Sequence, residues 1–299
     1  MKVKFNRDQK MLYLILLPFI IWYAVFMFKP MYGMVIAFKD YSLFRGISGS
    51  EWVGLKNFKD FLTSPEFYVT LKNTLMLSVY SLLLEFPFAI LLALMLNEVK
   101  NKYFKTIVQT ASFIPYFIAI VVATGITVNI LSPSTGVVNV FLEKLGFERV
   151  YFLAKPEFFR GIFTGLNMWK TAGFNAVIYL AALTAVDEQL YEAAKIDGAN
   201  KFQQLRHITI PAIIPTIVVM LVLKVGSMLN VAFETVLLLY QPATYETADV
   251  ISTYVYRTGM LMQDFGLATA VGLFNAVVGF ILVYSANRWS KKVTQSSLW

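Results

Sequence analysis

The side chains best suited to bind a ligand are amide, hydroxyl and aromatic residues in the two apolar stretches that flank residues 187–211. Aromatic rings stack on the C–H faces of a sugar, while amides and hydroxyls exchange hydrogen bonds with its hydroxyl groups. The candidates are Asn167, Trp169, Phe174, Asn175 and Tyr179 before this segment, and Ser227, Asn230, Phe233 and Glu234 after it. The pattern is compatible with a sugar site. The residues alone leave open the alternative that these side chains only pack between helices.

Charged side chains also interrupt long apolar stretches, at Glu85, Lys170, Lys224 and Glu234. A charge at the bilayer centre costs roughly 2.5–3.5 kcal/mol on insertion scales, so it usually faces a bundle interior, a cavity or an opposite charge. Glu234 lies close to the end of its stretch and can extend to the membrane surface. Each charge therefore predicts either structural pairing or a position along a transport path.

The sequence offers no catalytic constellation. It contains no Gly-x-x-x-x-Gly-Lys phosphate loop, no His-Glu-x-x-His and no Gly-x-Ser-x-Gly. It has no cysteine, and its single histidine, His207, suits a surface or docking position better than a metal site. We therefore predict no catalytic residue, no metal site and no cofactor in this chain.

The composition is that of a membrane protein. Hydrophobic residues make up 58% and charged residues 15% of the chain, whereas soluble proteins carry about 25% charged residues. The net charge of +8 fits positive flanks of membrane helices better than nucleic-acid binding. Because backbone groups in hydrocarbon must be hydrogen-bonded within their own segment, the predicted fold class is an all-α integral membrane protein.

The apolar runs predict six transmembrane helices in a single domain, 1–299. The predicted spans are 11–30, 73–97, 106–131, 161–186, 212–240 and 265–287. The first follows a positive segment but is too long for a signal peptide, lacks a cleavage site, and can extend through Met31–Phe38. Residues 241–264 are predicted to form a loop.

Smaller features refine this outline. Pro87 is expected to kink the second span, and Asn57–Leu62 to form a short amphipathic helix. In the sixth span, the pairs Ala268/Gly272 and Asn275/Gly279 allow close helix contact.

Lysine and arginine set the orientation. They are about twice as dense in segments 1–10, 97–105, 187–211 and 288–299 as in the intervening segments. Positive residues mark the cytoplasmic side, so both termini and segment 187–211 are predicted to be cytoplasmic.

Segment 187–211 is predicted to form two short helices outside the bilayer. Asp187 or Thr184 can cap the first helix, and Gly198 can supply the left-handed residue that ends it. Asn200 and Gln203 form a capping box for the second helix, and Pro211 favours a new helix start. Ala193 and Ala194 leave a face that another protein can approach closely, which predicts a docking element.

The same segment resembles the EAA loop of ATP-binding-cassette (ABC) importer permeases. Its matching residues are Glu192, Ala193, Ala194, Gly198, Ile208 and Pro211, and only Ile210 departs, in place of the usual leucine. The resemblance implies that this loop, including Asp197, contacts a separate ATPase subunit, which would bind ATP and magnesium.

The chain as a whole resembles carbohydrate permeases related to the maltose permease, especially those for larger oligosaccharides and polysaccharide fragments. The matching segments are Met31-Tyr32-Gly33, Ala37-Phe38-Lys39-Asp40, Trp52-Val53-Gly54-Leu55-Lys56-Asn57-Phe58, Asn73-Thr74-Leu75 and Phe265-Gly266-Leu267-Ala268. The resemblance implies a type I importer permease fold in the bacterial cytoplasmic membrane. It also implies a second, related permease, two ATPase subunits, an extracytoplasmic sugar-binding protein and an oligosaccharide substrate.

Two other functions remain open on the residues alone. An ion- or proton-coupled secondary transporter could use Glu85, Lys170 or Glu234 as relay groups and would need no ATPase. A membrane anchor or assembly protein would leave the polar groups in the spans without a role.

Overall fold

The structure, a computed structural model, describes residues 7–294, which are predominantly helical. Two compact units are present: unit 1 comprises Met1–Ser64 and Val255–Phe274, and unit 2 comprises Pro65–Tyr254 and Asn275–Trp299. The terminal residues 1–6 and 295–299, part of the predicted positive flanks, lie outside the described residues.

The helices follow one another closely along the chain. The α-helices are α1 (Arg7–Tyr23), α2 (Lys29–Met31), α3 (Gly46–Gly49), α4 (Lys56–Thr63), α5 (Pro65–Tyr80), α6 (Phe86–Glu98), α7 (Lys102–Phe113), α8 (Ile120–Ile130), α9 (Val137–Lys144), α10 (Pro156–Thr184), α11 (Glu188–Ile196), α12 (Lys201–Gln204), α13 (Ile210–Gly226), α14 (Phe233–Leu239), α15 (Tyr245–Ala248), α16 (Ile251–Tyr256) and α17 (Phe265–Thr294). Segments of π-helix lie at Ala24–Phe28, Ser81–Glu85, Leu205–Thr209 and Arg257–Leu261. Segments of 3-10 helix lie at Tyr32–Phe38, Ile114–Phe117, Phe152–Ala154 and Pro242–Thr244.

Several helical stretches match the predicted spans. Within the described residues, four are long and apolar enough to cross a membrane: Met11–Phe38, Pro65–Glu98, Lys201–Gly226 and Phe265–Lys292. The pair Lys102–Phe117 and Ile120–Ile130, bent by 102°, is a fifth candidate. The first stretch includes the predicted extension to Phe38. The second and sixth are longer than predicted, because polar residues that flank the apolar runs are also helical.

The predicted fourth span, 161–186, corresponds to the 29-residue helix α10. It contains too many polar residues to be counted among the apolar stretches described above. Its position explains this composition, because α10 contacts α5, α6, α7, α8, α13, α14 and α15. Phe159, Phe163, Ala176 and Tyr179 are buried on it. A span enclosed by other helices does not need an apolar surface on every side.

Unit 2 packs closely around α10. A Cβ atom on Gly173 would overlap the backbone of Ser112, which shows that α10 and α7 approach each other more closely than a larger side chain allows. Gly226 at the end of α13 similarly leaves room for the side chain of Val283 on α17.

The predicted third span, 106–131, is not one continuous helix. Its α-helical part α7 ends at Phe113, and α8 begins only at Ile120. Pro115 lies in the 3-10 turn between them, and its ring and missing N–H oppose a continuous α-helix. The end of α8 at Ile130 agrees with the predicted stop near Leu131.

The predicted fifth span, 212–240, is also interrupted. Helix α13 ends at Gly226 and α14 begins at Phe233. Residues 227–232 between them are irregular. Gly226, Ser227 and Asn230 are weak helix formers. The stretch is nevertheless long and apolar enough that hydrophobicity alone predicted one continuous span.

Two further differences concern connecting segments. The predicted loop 241–264 contains α15, α16 and the π-helical segment Arg257–Leu261. Helix α13 begins at Ile210, close to the predicted start at Pro211, but the chain is already helical from Lys201. In the π-helical turn, the N–H of Ile210 donates to the carbonyl of Leu205, which widens the helix just before the proline ring.

Unit 1 contains the predicted amphipathic helix, as α4, and a short antiparallel pair of strands, β1 (Lys39–Asp40) and β2 (Glu51–Trp52). Lys39 is opposite Trp52 in the register. The Asn57 side chain donates to the carbonyls of Ala37 (2.9 Å) and Lys39 (3.1 Å), which fixes α4 against the strand.

Of the two residue pairs on α17 that predicted close helix contact, only the first makes one, through Ala268. Ala268 is buried and lies where a side chain on Gly259 would meet it. Gly272 and Gly279 have no neighbouring atom within 4 Å of a Cβ position among the described residues. Asn275 instead makes a hydrogen bond, described below.

Candidate functional site

Unit 2 contains a half-open cavity of about 300 Å³. Its wall comes from α5 and the π-helical turn that follows, the break before α8, the middle of α10, and the break after α13. The lining residues are Leu77, Ser78, Ser81, Glu85, Tyr116, Phe163, Asn167, Thr171, Phe174, Asn175, Lys224, Ser227, Met228, Asn230, Val231 and Ala232. Both interruptions of the predicted spans therefore contribute to this cavity, which we call the central cavity.

The structure brings together five of the nine predicted binding residues. Asn167, Phe174, Asn175, Ser227 and Asn230 all line the central cavity. A second cavity of about 220 Å³ shares Glu85, Asn175, Lys224 and Ser227 with it and adds Tyr179. Trp169, Phe233 and Glu234 line neither cavity.

An aromatic stack forms one wall of the central cavity. The rings of Tyr116 and Phe174 are parallel within 7°, with centroids 4.0 Å apart. Phe113 extends the stack on Phe174, at 5.9 Å. Sequence reasoning found Phe174 but missed Tyr116, because Tyr116 reaches the cavity only through the break in the predicted third span.

Lys170 stabilises that break. Its Nζ donates to the carbonyls of Tyr116 (2.8 Å) and Ile118 (2.6 Å) and lies 5.7 Å from the centre of the Tyr116 ring. A helix end leaves carbonyls without intrahelical partners, and in a membrane those groups need donors from the protein. Lys170 thus acts as a cap for the broken helix and positions Tyr116.

Glu85 and Lys224 form an ion pair in the wall of the central cavity. Lys224 Nζ lies 3.1 Å from Glu85 Oε2, and the Ser81 hydroxyl donates to the same oxygen at 2.6 Å. The Glu85 side chain is only 8% exposed, whereas that of Lys224 is 33% exposed. The two roles considered for these charges, structural pairing and a position along a transport path, are therefore compatible, since the residues pair and also line a cavity.

Polar side chains hold the irregular segment after α13. Ser227 donates to the Lys224 carbonyl (3.0 Å), and Ser78 donates to the Met228 carbonyl. The Asn275 amide donates to Asn230 Oδ1 at 3.2 Å. Ser78 and Ser81 gave no signal in the sequence, because serines on an apolar helix commonly bond to their own backbone.

Segment 187–211 forms a compact helix–turn–helix. Asp187 Oδ1 accepts from the N–H of Gln189 at 2.9 Å, which confirms Asp187 as the cap of α11. Gly198 has φ +78°, and Asn200 and Gln203 form the predicted capping box. The Tyr191 hydroxyl lies 3.0 Å from the Thr209 hydroxyl, which ties α11 to the following helix.

The predicted docking residues lie on the surface of this segment. Glu192, Ala193, Asp197, Gly198 and Pro211 are exposed, and Ala194 and Ile208 are half-buried. Ala194, Asp197, Gly198 and Ile208 border a surface hollow of about 350 Å³. His207 borders it as well, and its Nδ1 lies 3.0 Å from the Gln203 carbonyl. The described residues contain no group of His, Cys, Asp or Glu arranged to hold a metal ion.

Comparison with known proteins identifies the family of the chain. Residues 85–295 match the family described as "Binding-protein-dependent transport system inner membrane component". The chain is 47% identical over 292 residues to the polygalacturonan/rhamnogalacturonan transport system permease protein YteP of Bacillus subtilis strain 168, covering 98% of this chain and 91% of that protein. It is 43% identical over 293 residues to protein LplB of the same strain, covering 98% and 92%.

A solved structure is similar over the same range. A chain in the crystal structure of a bacterial alginate ABC transporter, in complex with an alginate pentasaccharide-bound periplasmic protein, matches with a TM-score of 0.91. The identity is 48%, and the match covers 98% of each chain.

Proposed function

The chain belongs to the family of binding-protein-dependent transport system inner membrane components, and we propose that its central cavity is the passage for an oligosaccharide. Members of this family are permease subunits of ABC importers and not enzymes. This member is accordingly a membrane permease of an oligosaccharide importer with the type I permease fold.

The observation that carries the proposal is the composition of the cavity wall. The Tyr116–Phe174 stack faces the same space as the amides of Asn167, Asn175 and Asn230. Because the stacked faces of Tyr116 and Phe174 cover each other, the pair can offer a sugar only its remaining ring faces and edges. Such aromatic groups beside amides suit a sugar, which has apolar C–H faces and carries hydroxyls. We therefore assign the first contacts with the sugar to the lining residues. The other predicted binding residues do not line the central cavity; these are Trp169, Tyr179, Phe233 and Glu234.

The coupling segment supplies the link to ATP. We propose that α11 and the turn at Gly198 dock on an ATPase subunit, with Glu192 as its charged contact. Ala193, Ala194, Asp197, Ile208 and Pro211 would shape this surface. Two such ATPases, which bind ATP and magnesium, a second and different permease chain, and an extracytoplasmic sugar-binding protein would complete the importer.

The proposed topology has six spans with both termini in the cytoplasm. The spans are the apolar stretches, the bent pair α7–α8, and the polar helix α10. ATP binding would switch the assembly between states that open to opposite sides, and a small free-energy difference between these states suffices for such switching.

Transport by the reconstituted importer tests the proposal. We expect proteoliposomes containing the complete complex to take up oligosaccharide only with ATP on the ATPase side and with the binding protein present. Uptake should persist when an ionophore collapses the proton gradient. Uptake that needs the gradient but no ATP would refute the proposal and support a secondary transporter.

A further inference from the structure

The second cavity, of about 220 Å³, continues the central cavity toward segment 187–211. Along α10, which leads into that segment, the central cavity is lined from Phe163 to Asn175, and the second cavity by Asn175 and Tyr179. Helices α6 and α13 show the same displacement through the residues that the second cavity adds on them, which are Phe86, Ala89, Met220 and Leu223. A sugar chain that leaves the central cavity in this direction would therefore enter the second cavity next.

Two polar side chains in the wall of the second cavity have no hydrogen-bond partner within residues 7–294. They are Asn175 and Tyr179, which lie four residues apart and therefore on one face of α10. Tyr179 is only 1% exposed, so the cavity is where its hydroxyl can find a partner. Buried polar groups are normally paired, because an unpaired one loses its hydrogen bonds to water. A ligand that carries hydroxyl groups would supply the missing partners.

The carboxylate of Glu85 offers a hydrogen-bond acceptor to the same space. Ser81 and Lys224 both bond to its Oε2, whereas Oε1 accepts no hydrogen bond from the described residues. Glu85 lines both cavities, so a sugar hydroxyl can donate to Oε1 at the junction between them. The ring of Phe86, edge-to-face with Tyr179 at 6.3 Å, adds apolar surface. An acceptor, an amide, a hydroxyl and an aromatic ring together suit a sugar unit.

We infer that the second cavity is a separate subsite for one unit of the transported sugar chain, bound by Glu85, Asn175 and Tyr179. This inference rests on the proposed function and adds to it a position between the central cavity and the coupling segment. The cavity is smaller than the pockets of roughly 300–1,000 Å³ that enclose drug-sized ligands, which suits a single unit. Beyond it, Leu183 and Ile213 pack with Tyr179 in one buried apolar cluster, so the subsite is the last polar position before that cluster.

Equilibrium binding to the importer without its binding protein tests the subsite. The complete permease–ATPase complex in nanodiscs is titrated with a galacturonic acid trimer as the probe. Tyr179→Phe removes only the hydroxyl, and we expect it to weaken trimer binding about fivefold, the size of one neutral hydrogen bond. Its melting temperature without the trimer should be unchanged or higher, because the hydroxyl has no protein partner to lose. A purely structural hydroxyl would instead lower the melting temperature and leave the affinity unchanged.

Two further variants separate the subsite from its surroundings. Ala89 is 2% exposed and lines the second cavity but not the central one. Ala89→Leu should therefore fill the subsite and weaken trimer binding about tenfold or more. Tyr80→Phe is the matched control, because it removes a hydroxyl from a tyrosine that lines neither cavity. It should change neither the affinity nor the melting temperature.

Several outcomes would overturn the inference. Equal trimer affinities of the wild type and Tyr179→Phe would do so, as expected if the cavity holds only water, and so would the absence of trimer binding by the wild type. Wild-type affinity in Ala89→Leu would also contradict it. If the Ala89→Leu complex does not assemble, Tyr179→Phe still decides the question. ATP-driven uptake of oligosaccharide with the binding protein present would leave the proposed function intact in each of these cases.

Discussion

At the scale of single residues, Lys170 shows why a half-buried lysine in a membrane span need not touch a ligand. Its two hydrogen bonds, of 2.8 and 2.6 Å, go to backbone carbonyls freed by the break between α7 and α8. The break in turn places Tyr116 on Phe174. One side chain thus connects helix termination with the aromatic wall of the cavity.

Lys170→Met should therefore destabilise the protein. The methionine removes the donors, and a carbonyl that is left unpaired where water is excluded costs about 1–3 kcal/mol. We expect a lower melting temperature of the detergent-solubilised complex and weaker sugar binding, because Tyr116 loses its support. Lys170→Arg, which keeps a donor, should retain most of both. A Lys170→Met complex with wild-type melting temperature would contradict the capping role.

The residues of the site were only partly predictable from the sequence. The sequence identified Asn167, Phe174 and Asn175 because these polar and aromatic residues lie close together within one recognisable span. Tyr116 was missed, since its position depends on a break next to Pro115 that hydrophobicity does not reveal. Ser78 and Ser81 were missed because a serine in an apolar helix has no distinctive pattern.

At the scale of helices and turns, the same limit explains which elements were predicted correctly. Local chemistry fixed the turn of segment 187–211, where the Asp187 cap, the Asn200–Gln203 capping box and the positive φ of Gly198 all occur as expected. The breaks after Phe113 and Gly226 start at local helix breakers, Pro115 and Gly226, and side chains from other elements, Lys170 and Asn275, hold the broken segments. Span detection by hydrophobicity registers neither contribution and therefore joined the broken pieces.

Gly198→Val should disrupt the coupling segment without a steric clash. No atom lies within 4 Å of a Cβ at this position, but φ is +78°, and a left-handed residue with a side chain costs roughly 1–2 kcal/mol. The turn after α11 should then rearrange. We expect loss of the co-purifying ATPase and of ATP-driven uptake, while the protein still inserts in the membrane.

Gly198→Asn is the control for that experiment, because asparagine tolerates the left-handed conformation. It should keep the ATPase and at least part of the transport activity. Full coupling in Gly198→Val would show that the turn does not determine docking.

At the scale of the whole molecule, the wall of the central cavity bears on the identity of the second permease. Two identical chains around one passage would line it with two copies of the same wall, including the Lys224–Glu85 pair. A different partner chain can line the opposite side with other side chains, so we expect an importer built from two unlike permeases.

Co-expression of two differently tagged copies of this chain with the other importer subunits tests that arrangement. If the partner permease is a different chain, purification through one tag should yield the ATPases and the partner but not the second tag. Recovery of both tags in one monodisperse complex would instead show that two copies of this chain form the passage.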